Sequence, residues 1–383
     1  MKREGQMPAD SLIAHLVENP SWRHQIVRII GQVKYGGGDF FEILKTVSQI
    51  KPADKEEWYK SWNDLAHRKR EQAKSELEQA HVYTASSLFL KASNYYRMAD
   101  FYLSLDDPRE LPTYDKIVNC FKNAWVGFDH PIQEINIKFQ GESFPAYFLK
   151  SGKKTKRAPT VILMGGADSV KEEKYFGGAL SCIKRKMNCL LVDGPGQGFP
   201  LRHLKRYLIH DYEKFVSAVV DELEKREDVD SKKIAYVGTS LGGYFAGRAA
   251  AFEERLAAVV MWGACYDVLS DIYNYFPPIR ERIRAILDVK NDDEAKEKLR
   301  EFNLSGLVEK IRCPLLIIHG EDDYICSPTA AQKVFSQAKC EKKLVMYKKD
   351  ELGSLHSQHD NADEVSSLVF DWLADTFKNS IPN

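Results

Sequence analysis

The 383-residue sequence lacks any apolar run long enough to span a lipid bilayer. Its first ten residues, MKREGQMPAD, are polar and charged, and the short apolar patch that follows is broken by His15, Glu18 and Pro20, so no secretory leader is predicted. Neither sign of charge is in excess, because 55 lysines and arginines balance 55 aspartates and glutamates. We therefore expect a cytoplasmic chain that has neither a membrane nor a nucleic acid as its partner.

Cysteine is scarce and shows no paired spacing. The seven cysteines are an odd number without a C-x-x-C pair, and most lie in apolar, strand-like segments. This distribution is typical of reduced, buried thiols and predicts neither a disulfide framework nor a zinc site. The sequence also shows no repeat at a fixed period, which argues against a helical-repeat adaptor.

Two hydrophobic patterns divide the chain. In residues 1–130 the apolar positions recur at helical spacing, which predicts an all-helical domain. From residue 131 onward a β-hairpin and then short, fully apolar strands alternate with amphipathic helices, the pattern of a mostly parallel, doubly wound α/β sheet covered on both faces. The alternation lapses at residues 266–305, predicted to be a helical insertion that forms a lid. The α/β core is thus assigned to residues 131–265 and 306–383.

The clearest chemical signal is the segment Gly238-Thr239-Ser240-Leu241-Gly242, which satisfies G-x-S-x-G. It follows an apolar strand and precedes a helix of small residues. In this context a tight strand-to-helix turn lifts the serine hydroxyl above the sheet, and glycines leave room for a turn that a Cβ would obstruct. Ser240 is therefore the predicted nucleophile.

A serine nucleophile needs a base that accepts its proton and an acid that orients the base. A later apolar strand runs into HGEDD (319–323), which places carboxylates at the carboxyl edge of the sheet, where open α/β sheets bind ligands. Asp323 is the preferred acid and Asp322 the alternative, while His319 is expected to be structural. The loop before the last helix offers His356, the preferred base, and His359. Two histidines three positions apart, with no third ligand, do not predict a metal site.

Stabilising the oxyanion of a tetrahedral intermediate requires two backbone N–H groups. One is predicted to belong to Leu241, and the other to the loop after the first long parallel strand, at Gly166 or alternatively Ala167. The segment DGPGQG (193–198) matches neither of the two nucleotide-binding spacings, G-x-G-x-x-G and the P-loop. In addition, Pro195 lacks the backbone N–H that a phosphate-binding loop would use. We expect that segment to shape the chain beside the active site.

Together, five motifs resemble one branch of the α/β-hydrolase superfamily. That branch contains bacterial dihydroxypseudooxynicotine hydrolase, fungal hydrolases that shorten polyketide pigment precursors, and FrsA-like esterases. The motifs are GGADSVKEE (165–173), DGPGQG (193–198), GTSLGGYFAGRAAA (238–251), HGEDD (319–323) and HSQH (356–359). Two features depart from the superfamily pattern: Met164-Gly165 replaces the common His-Gly, and no Gly-Asp or Gly-Glu precedes the histidine at 356.

The resemblance implies a catalytic triad of Ser240, Asp323 and His356. It implies cleavage of a carbon–carbon bond next to a carbonyl, or of an ester, in a small-molecule substrate without a cofactor. In this branch the helical region and the insertion enclose the substrate, and the chains often pair, so a homodimer is the expected assembly.

Substrate contacts are expected from the insertion. Four of its aromatic residues are candidates for flat apolar walls around a ring-bearing or polyketide-like substrate: Tyr266, Tyr273, Tyr275 and Phe276. Ordinary packing of the lid explains these residues equally well. Asp271 or Asp267 is predicted to orient a polar group of the substrate.

Two other functions remain open at this point. The first is a non-catalytic interaction protein that uses its helical front half, as suggested for FrsA-like relatives, although the intact order Ser, Asp, His argues against it. The second is a peptidase of the prolyl-oligopeptidase type. Such peptidases carry a β-propeller in front of the hydrolase domain, whereas helices are predicted here.

Overall fold

The computed structural model describes residues 13, 17, 19–51, 54–152, 157–349 and 351–379. The described residues up to Asp129 form one compact unit, and those from His130 onward form a second. Within these ranges no helix combines the length and the apolar character needed to cross a bilayer.

The first unit is built from helices, as the hydrophobic spacing predicts. Asp39 and Asp54 each accept hydrogen bonds from the N–H groups two and three residues further on, and so begin the second and third helices. Trp58 is buried in the core of this unit, and its Nε1 donates a hydrogen bond to the carbonyl of Met98 at 2.6 Å. The five helices are α1 (Pro20–Gln32), α2 (Phe40–Val47), α3 (Lys55–Glu78), α4 (Val82–Asp100) and α5 (Glu110–Ala124).

The second unit is organised around an eight-stranded sheet. Its strands are β1 (Ile132–Phe139), β2 (Glu142–Leu149), β3 (Ala158–Met164), β4 (Asn188–Leu191), β5 (Val229–Thr239), β6 (Leu256–Trp262), β7 (Leu315–Gly320) and β8 (Lys342–Tyr347). The spatial order is β1-β2-β4-β3-β5-β6-β7-β8. The β1–β2 and β2–β4 pairs are antiparallel, and all later pairs are parallel. The predicted doubly wound, mostly parallel sheet is confirmed.

Helices connect the parallel strands, and one more helix follows the last strand. They are α6 (Leu180–Lys184), α7 (Gly198–Leu204), α8 (Glu213–Glu224), α9 (Leu241–Phe252), α10 (Arg280–Leu287), α11 (Asp292–Leu299), α12 (Pro328–Gln337) and α13 (Ala362–Asn379). Strands β4 and β7 are buried at every residue, which is why most of their residues are apolar and do not alternate with polar ones. The parallel arrangement brings the carboxyl ends of β3, β5 and β7 to one edge of the sheet.

The segment between β6 and β7 contains α10 and α11 and is closed at its base by backbone pairing. Asp267 and Asn303 form an isolated antiparallel bridge. Higher in the segment, Arg282 Nε donates to the carbonyl of Ala167 at 3.1 Å, in the loop after β3. This contact holds α10 against the edge of the sheet at which the parallel strands end.

Candidate active site

Ser240 lies in a sharp turn between β5 and α9. Its backbone has φ 61° and ψ −126°, a conformation on the left-handed side that a non-glycine residue adopts only under local constraint. The turn is too tight for side chains nearby, because a Cβ on Gly238 would lie 1.9 Å from the carbonyl oxygen of Gly242. Ser240 N–H donates to the carbonyl of Trp262 at 2.8 Å, which fixes the turn to the end of β6. The half-buried serine side chain is thereby presented at the carboxyl edge of the sheet.

The three residues predicted as nucleophile, base and acid lie in one hydrogen-bonded line. The Nε2 atom of His356 is 2.9 Å from Ser240 Oγ, and its Nδ1 atom is 2.7 Å from Asp323 Oδ2. A carboxylate can only accept, so Nδ1 carries the imidazole proton and Nε2 is left to accept the hydroxyl proton. His356 is 4% exposed and Asp323 is 1% exposed, so both are shielded from water behind the serine.

The carboxylate of Asp323 is saturated with donors. Its Oδ1 accepts the N–H groups of Ile325 at 2.9 Å and Cys326 at 2.8 Å, while Oδ2 faces both His356 and His319 Nε2, the latter at 3.2 Å. Burial alone would raise the pKa of this carboxyl. The two neighbouring histidines outweigh that effect and hold the pKa of Asp323 well below its usual range. The carboxylate of Asp323 therefore stays ionised and holds the ring of His356 in one orientation.

His319, which was expected to be structural, lies against the carboxylate of Asp323. Its Nε2 lies 3.0 Å from the carbonyl of Cys326 and 3.2 Å from Asp323 Oδ2, and the ring is fully buried. Both neighbours are acceptors, so Nε2 carries the proton. Its position four residues before the acid, across the turn after β7, is the signal that could have indicated this contact.

The alternatives left open for the acid and the base occupy different positions. Asp322 donates its N–H to the carbonyl of Ser354 at 3.0 Å and so ties the acid loop to the base loop. His359 is half-buried and follows Ser357 and Gln358, which have φ values of 54° and 52°. The hydrogen bonds to the nucleophile and to the acid are made by the histidine at 356. In the described part of the chain, no group of three or more His, Cys, Asp or Glu side chains could hold a metal ion.

The two predicted oxyanion donors lie beside the nucleophile. A Cβ on Gly166 would be 2.9 Å from Ser240 Cβ and 3.2 Å from the backbone nitrogen of Leu241, so a larger residue there would require Ser240 to shift. Leu241 is the first residue of α9, and its N–H has no acceptor inside the helix. Among the described residues, the N–H groups of Gly166 and Ala167 donate to no acceptor. Gly166 and Leu241 thus lie next to Ser240, and their role as oxyanion donors stays a prediction.

The three residues of the insertion that are predicted to contact substrate, Tyr275, Asp271 and Tyr273, differ from one another in their hydrogen-bond partners. The Tyr275 hydroxyl donates to the carbonyl of Asp323 at 3.1 Å, and 44% of this residue is exposed. The carboxylate of Asp271 accepts the N–H groups of its own loop, and burial raises its pKa. The Tyr273 hydroxyl donates to Asp292 at 2.8 Å. The structure brings Tyr275 to the acid loop and engages the other two within the insertion, where their contact with substrate stays a prediction.

Comparison with known proteins finds similar hydrolases. A model of the prolyl oligopeptidase family matches residues 193–380. Hydrolase LUC6 of Fusarium sp and the 20-hydroxy-prefusarin hydrolase FUS2 of Gibberella moniliformis are each 28% identical, over 92% of this chain and 96% of theirs. The crystal structure of 2,6-dihydroxy-pseudo-oxynicotine hydrolase superposes with a TM-score of 0.80 at 26% identity, covering 90% of this chain and 95% of that one.

These matches extend across the helical front as well as the sheet, because they span at least nine-tenths of both chains. The front is therefore a shared part of these proteins. The fold and the named relatives together show that this chain is an enzyme, a hydrolase with the α/β-hydrolase fold that is similar over most of its length to these fungal hydrolases and to the pseudo-oxynicotine hydrolase.

Proposed function

We propose that this enzyme is a serine hydrolase that forms an acyl-enzyme on Ser240 and cleaves a carbon–carbon bond next to a carbonyl, or an ester, in a small aromatic or polyketide-like substrate. One observation supports the proposal most directly. It is the hydrogen-bonded line that runs from the buried, ionised Asp323 through His356 to the accessible hydroxyl of Ser240. A serine so connected can lose its proton at the moment of attack.

In the proposed mechanism, Ser240 Oγ attacks the substrate carbonyl carbon while His356 Nε2 takes the hydroxyl proton. Asp323 stabilises the resulting imidazolium, and the N–H groups of Leu241 and Gly166 stabilise the oxyanion. The oxyanion collapses, the bond to the leaving group breaks, and its electron pair departs as an enolate carbon or an alkoxide. His356 returns the proton to that atom. Water, deprotonated by the same histidine, then hydrolyses the acyl-enzyme to release an acid and free Ser240.

The substrate class rests on the relatives and on the aromatic residues of the insertion. One relative is a 20-hydroxy-prefusarin hydrolase, and the similar solved structure is a 2,6-dihydroxy-pseudo-oxynicotine hydrolase. By analogy we propose a small organic substrate with a carbonyl group. Tyr275 is 44% exposed and hydrogen bonded to the acid loop, and in this proposal its ring offers an apolar surface to such a molecule.

Peptide cleavage is a weaker proposal, although a prolyl oligopeptidase model matches the chain. That match begins at residue 193 and does not include the helical front. The described elements before His130 are helices, whereas the peptidases of that type carry β-propeller blades in front of the hydrolase domain.

Product analysis tests the proposed reaction. The full chain is incubated with a panel of aryl β-diketones, aryl esters and peptide 4-nitroanilides, and the products are identified by mass spectrometry. We expect a carboxylic acid and a ketone from the diketones, with the anilides intact. Acid release from the esters alone would restrict the proposal to ester hydrolysis. Cleavage of the anilides alone, or equal product formation by Ser240→Ala, would contradict it.

The acid offers a second test. Asp323→Asn keeps the size of the side chain but lets it donate to His356, which favours the wrong tautomer. We expect the rate constant for acylation of Ser240 by a fluorophosphonate to fall by about 10⁴-fold at neutral pH. The matched control is Asp322→Asn, next along the chain, for which we expect a change of less than about threefold because that carboxylate is not hydrogen bonded to the base. Equal losses in both variants would remove Asp323 from the role of acid.

The same pair of variants gives a pH-dependent readout of stability. The pKa of Asp323 is lower in the folded state than in the unfolded chain, where it is about 4. Ionisation of this carboxyl therefore stabilises the folded state at pH values above about 4. That stabilisation is lost as the pH falls. In urea unfolding, the free-energy difference between the native enzyme and Asp323→Asn is therefore expected to shrink from pH 6 to pH 3, roughly the range over which a free carboxyl titrates.

A further inference from the structure

A buried glutamine that is not part of the Ser240–His356–Asp323 hydrogen-bonded line donates two hydrogen bonds to the loop that contains the candidate oxyanion donors. Gln197 lies in the DGPGQG segment after β4 and is 1% exposed. Its side-chain Nε2 donates to the carbonyl of Gly165 at 2.7 Å and to that of Gly166 at 2.8 Å. Its Oε1 accepts the N–H of Gly194 at 3.1 Å and the hydroxyl of Tyr212 at 3.0 Å. The side-chain amide therefore has a partner in every direction and one fixed orientation.

The two carbonyls that accept hydrogen bonds from Gln197 belong to the same two peptide groups as the candidate oxyanion donors. The carbonyl of Gly165 shares its peptide with the N–H of Gly166, and the carbonyl of Gly166 shares its peptide with the N–H of Ala167. A trans peptide is planar, and its N–H points away from its C=O. Both N–H groups therefore point away from the amide of Gln197, and neither has an acceptor among the described residues.

Two consecutive glycines need such a restraint. Glycine peptides rotate more easily than others because no Cβ restricts the backbone, so the sequence Gly165-Gly166 does not by itself fix the direction of either N–H. The Tyr212 hydroxyl, which donates to Gln197 Oε1, is also held in place. The ring of Tyr212 is stacked on that of Phe245, with 3.7 Å between ring centroids, and this stacking holds the hydroxyl that orients Gln197.

We propose that Gln197 is a positioning residue for the oxyanion hole: by holding the carbonyls of Gly165 and Gly166, it aims the N–H of Gly166 or Ala167 at the developing oxyanion before substrate binds. The proposal rests on the proposed serine-hydrolase function. Donors that are already oriented stabilise the transition state without reorganising during the reaction. Losing their restraint should slow acylation while leaving ground-state binding of the substrate largely unchanged.

Gln197→Glu tests the two donations directly. Glutamate keeps the length of the side chain and an acceptor for Gly194 and Tyr212, but presents an oxygen to two carbonyl oxygens. We expect fluorophosphonate acylation of Ser240 to slow by about 10- to 100-fold, somewhat less than the 10²–10³-fold cost of deleting an oxyanion donor. For an aryl ester that the native enzyme cleaves, kcat should fall while KM changes by less than about threefold. Gln197→Met, neutral and of similar volume, should give the same result without a buried charge.

The matched control is Tyr212→Phe, which removes a hydrogen bond from the same buried network but leaves both donations of Gln197 in place. Thermal unfolding establishes that each variant is folded at the assay temperature. If Gln197→Met is folded and acylated as fast as the native enzyme, the inference is overturned. An equal loss in Tyr212→Phe would overturn it too, because network packing would then set the rate. No acylation of the native enzyme would instead refute the serine-hydrolase function itself.

Discussion

Alanine at position 240 is expected to abolish covalent labelling by a fluorophosphonate and to lower kcat on any cleaved panel substrate by about 10⁶-fold. The reason is chemical: Ser240 Oγ is the only protein atom that forms a covalent bond to the carbonyl carbon of the substrate in the proposed mechanism. The His356 ring and the oxyanion donors would remain in place, but they would have no nucleophile to activate or acyl group to stabilise. Intact-protein mass spectrometry measures the labelling, and digestion of the labelled native enzyme should locate the adduct on the peptide that contains Ser240.

Ser357→Ala is the matched control for the serine. Ser357 directly follows the proposed base, is buried, and lies beside Gly263, where a Cβ would come within 3.3 Å of its hydroxyl oxygen. The variant removes a hydroxyl from the same site but leaves the nucleophile. We expect labelling to be retained. Stoichiometric labelling of Ser240→Ala would show that another residue is the nucleophile.

His356→Ala is expected to reduce kcat by a similar factor, about 10⁶-fold, because the nucleophile and the base act as one unit. Without the imidazole, Ser240 would have no group within hydrogen-bonding distance that could accept its proton, since His356 Nε2 is the described partner of its Oγ. The effect should be non-additive: combining Ser240→Ala with His356→Ala is expected to cost little beyond either single change. Single-turnover kinetics with an activated aryl ester measures the loss.

His359→Ala decides the choice between the two histidines that the sequence leaves open. This residue lies three positions further on, past the left-handed pair Ser357 and Gln358, and is half-buried. We expect its replacement to change kcat by less than about tenfold. If His359→Ala loses activity and His356→Ala keeps it, the base is misassigned and the loop must rearrange when substrate binds.

The fold was largely predictable because its signals are local. Continuous apolar runs such as the one at β7 identify strands buried on both faces, and their alternation with amphipathic helices is typical of a parallel sheet. The nucleophile was predictable for the same reason: Gly238, Ser240 and Gly242 form one turn, and the steric need for glycine is contained within five residues.

The partners of the nucleophile were predictable only as a preferred residue with an alternative: Asp323 before Asp322, and His356 before His359. Sequence order and the edge of the sheet reduced the acid to Asp322 or Asp323, and the base to His356 or His359. A choice within each pair depends on the direction of one side chain in a loop. Such a direction follows from backbone angles at neighbouring residues, as at Ser357 and Gln358, and no periodicity in the sequence reports those angles.

The sequence alone thus determined the order of strands and helices, the strand-to-helix turn at Ser240, and the short segments from which an acid, a base and oxyanion donors would come. Only the tertiary structure decided which atoms meet: His356 reaches Ser240 across 116 positions of the chain, His319 joins it at Asp323, and Gln197 grips two peptides more than 30 positions away. The physical reason is that a hydrogen bond requires the donor–acceptor distance to be correct within a few tenths of an ångström and the donor to point at the acceptor. Such distances are fixed by the packing of the whole sheet, and no single segment encodes them.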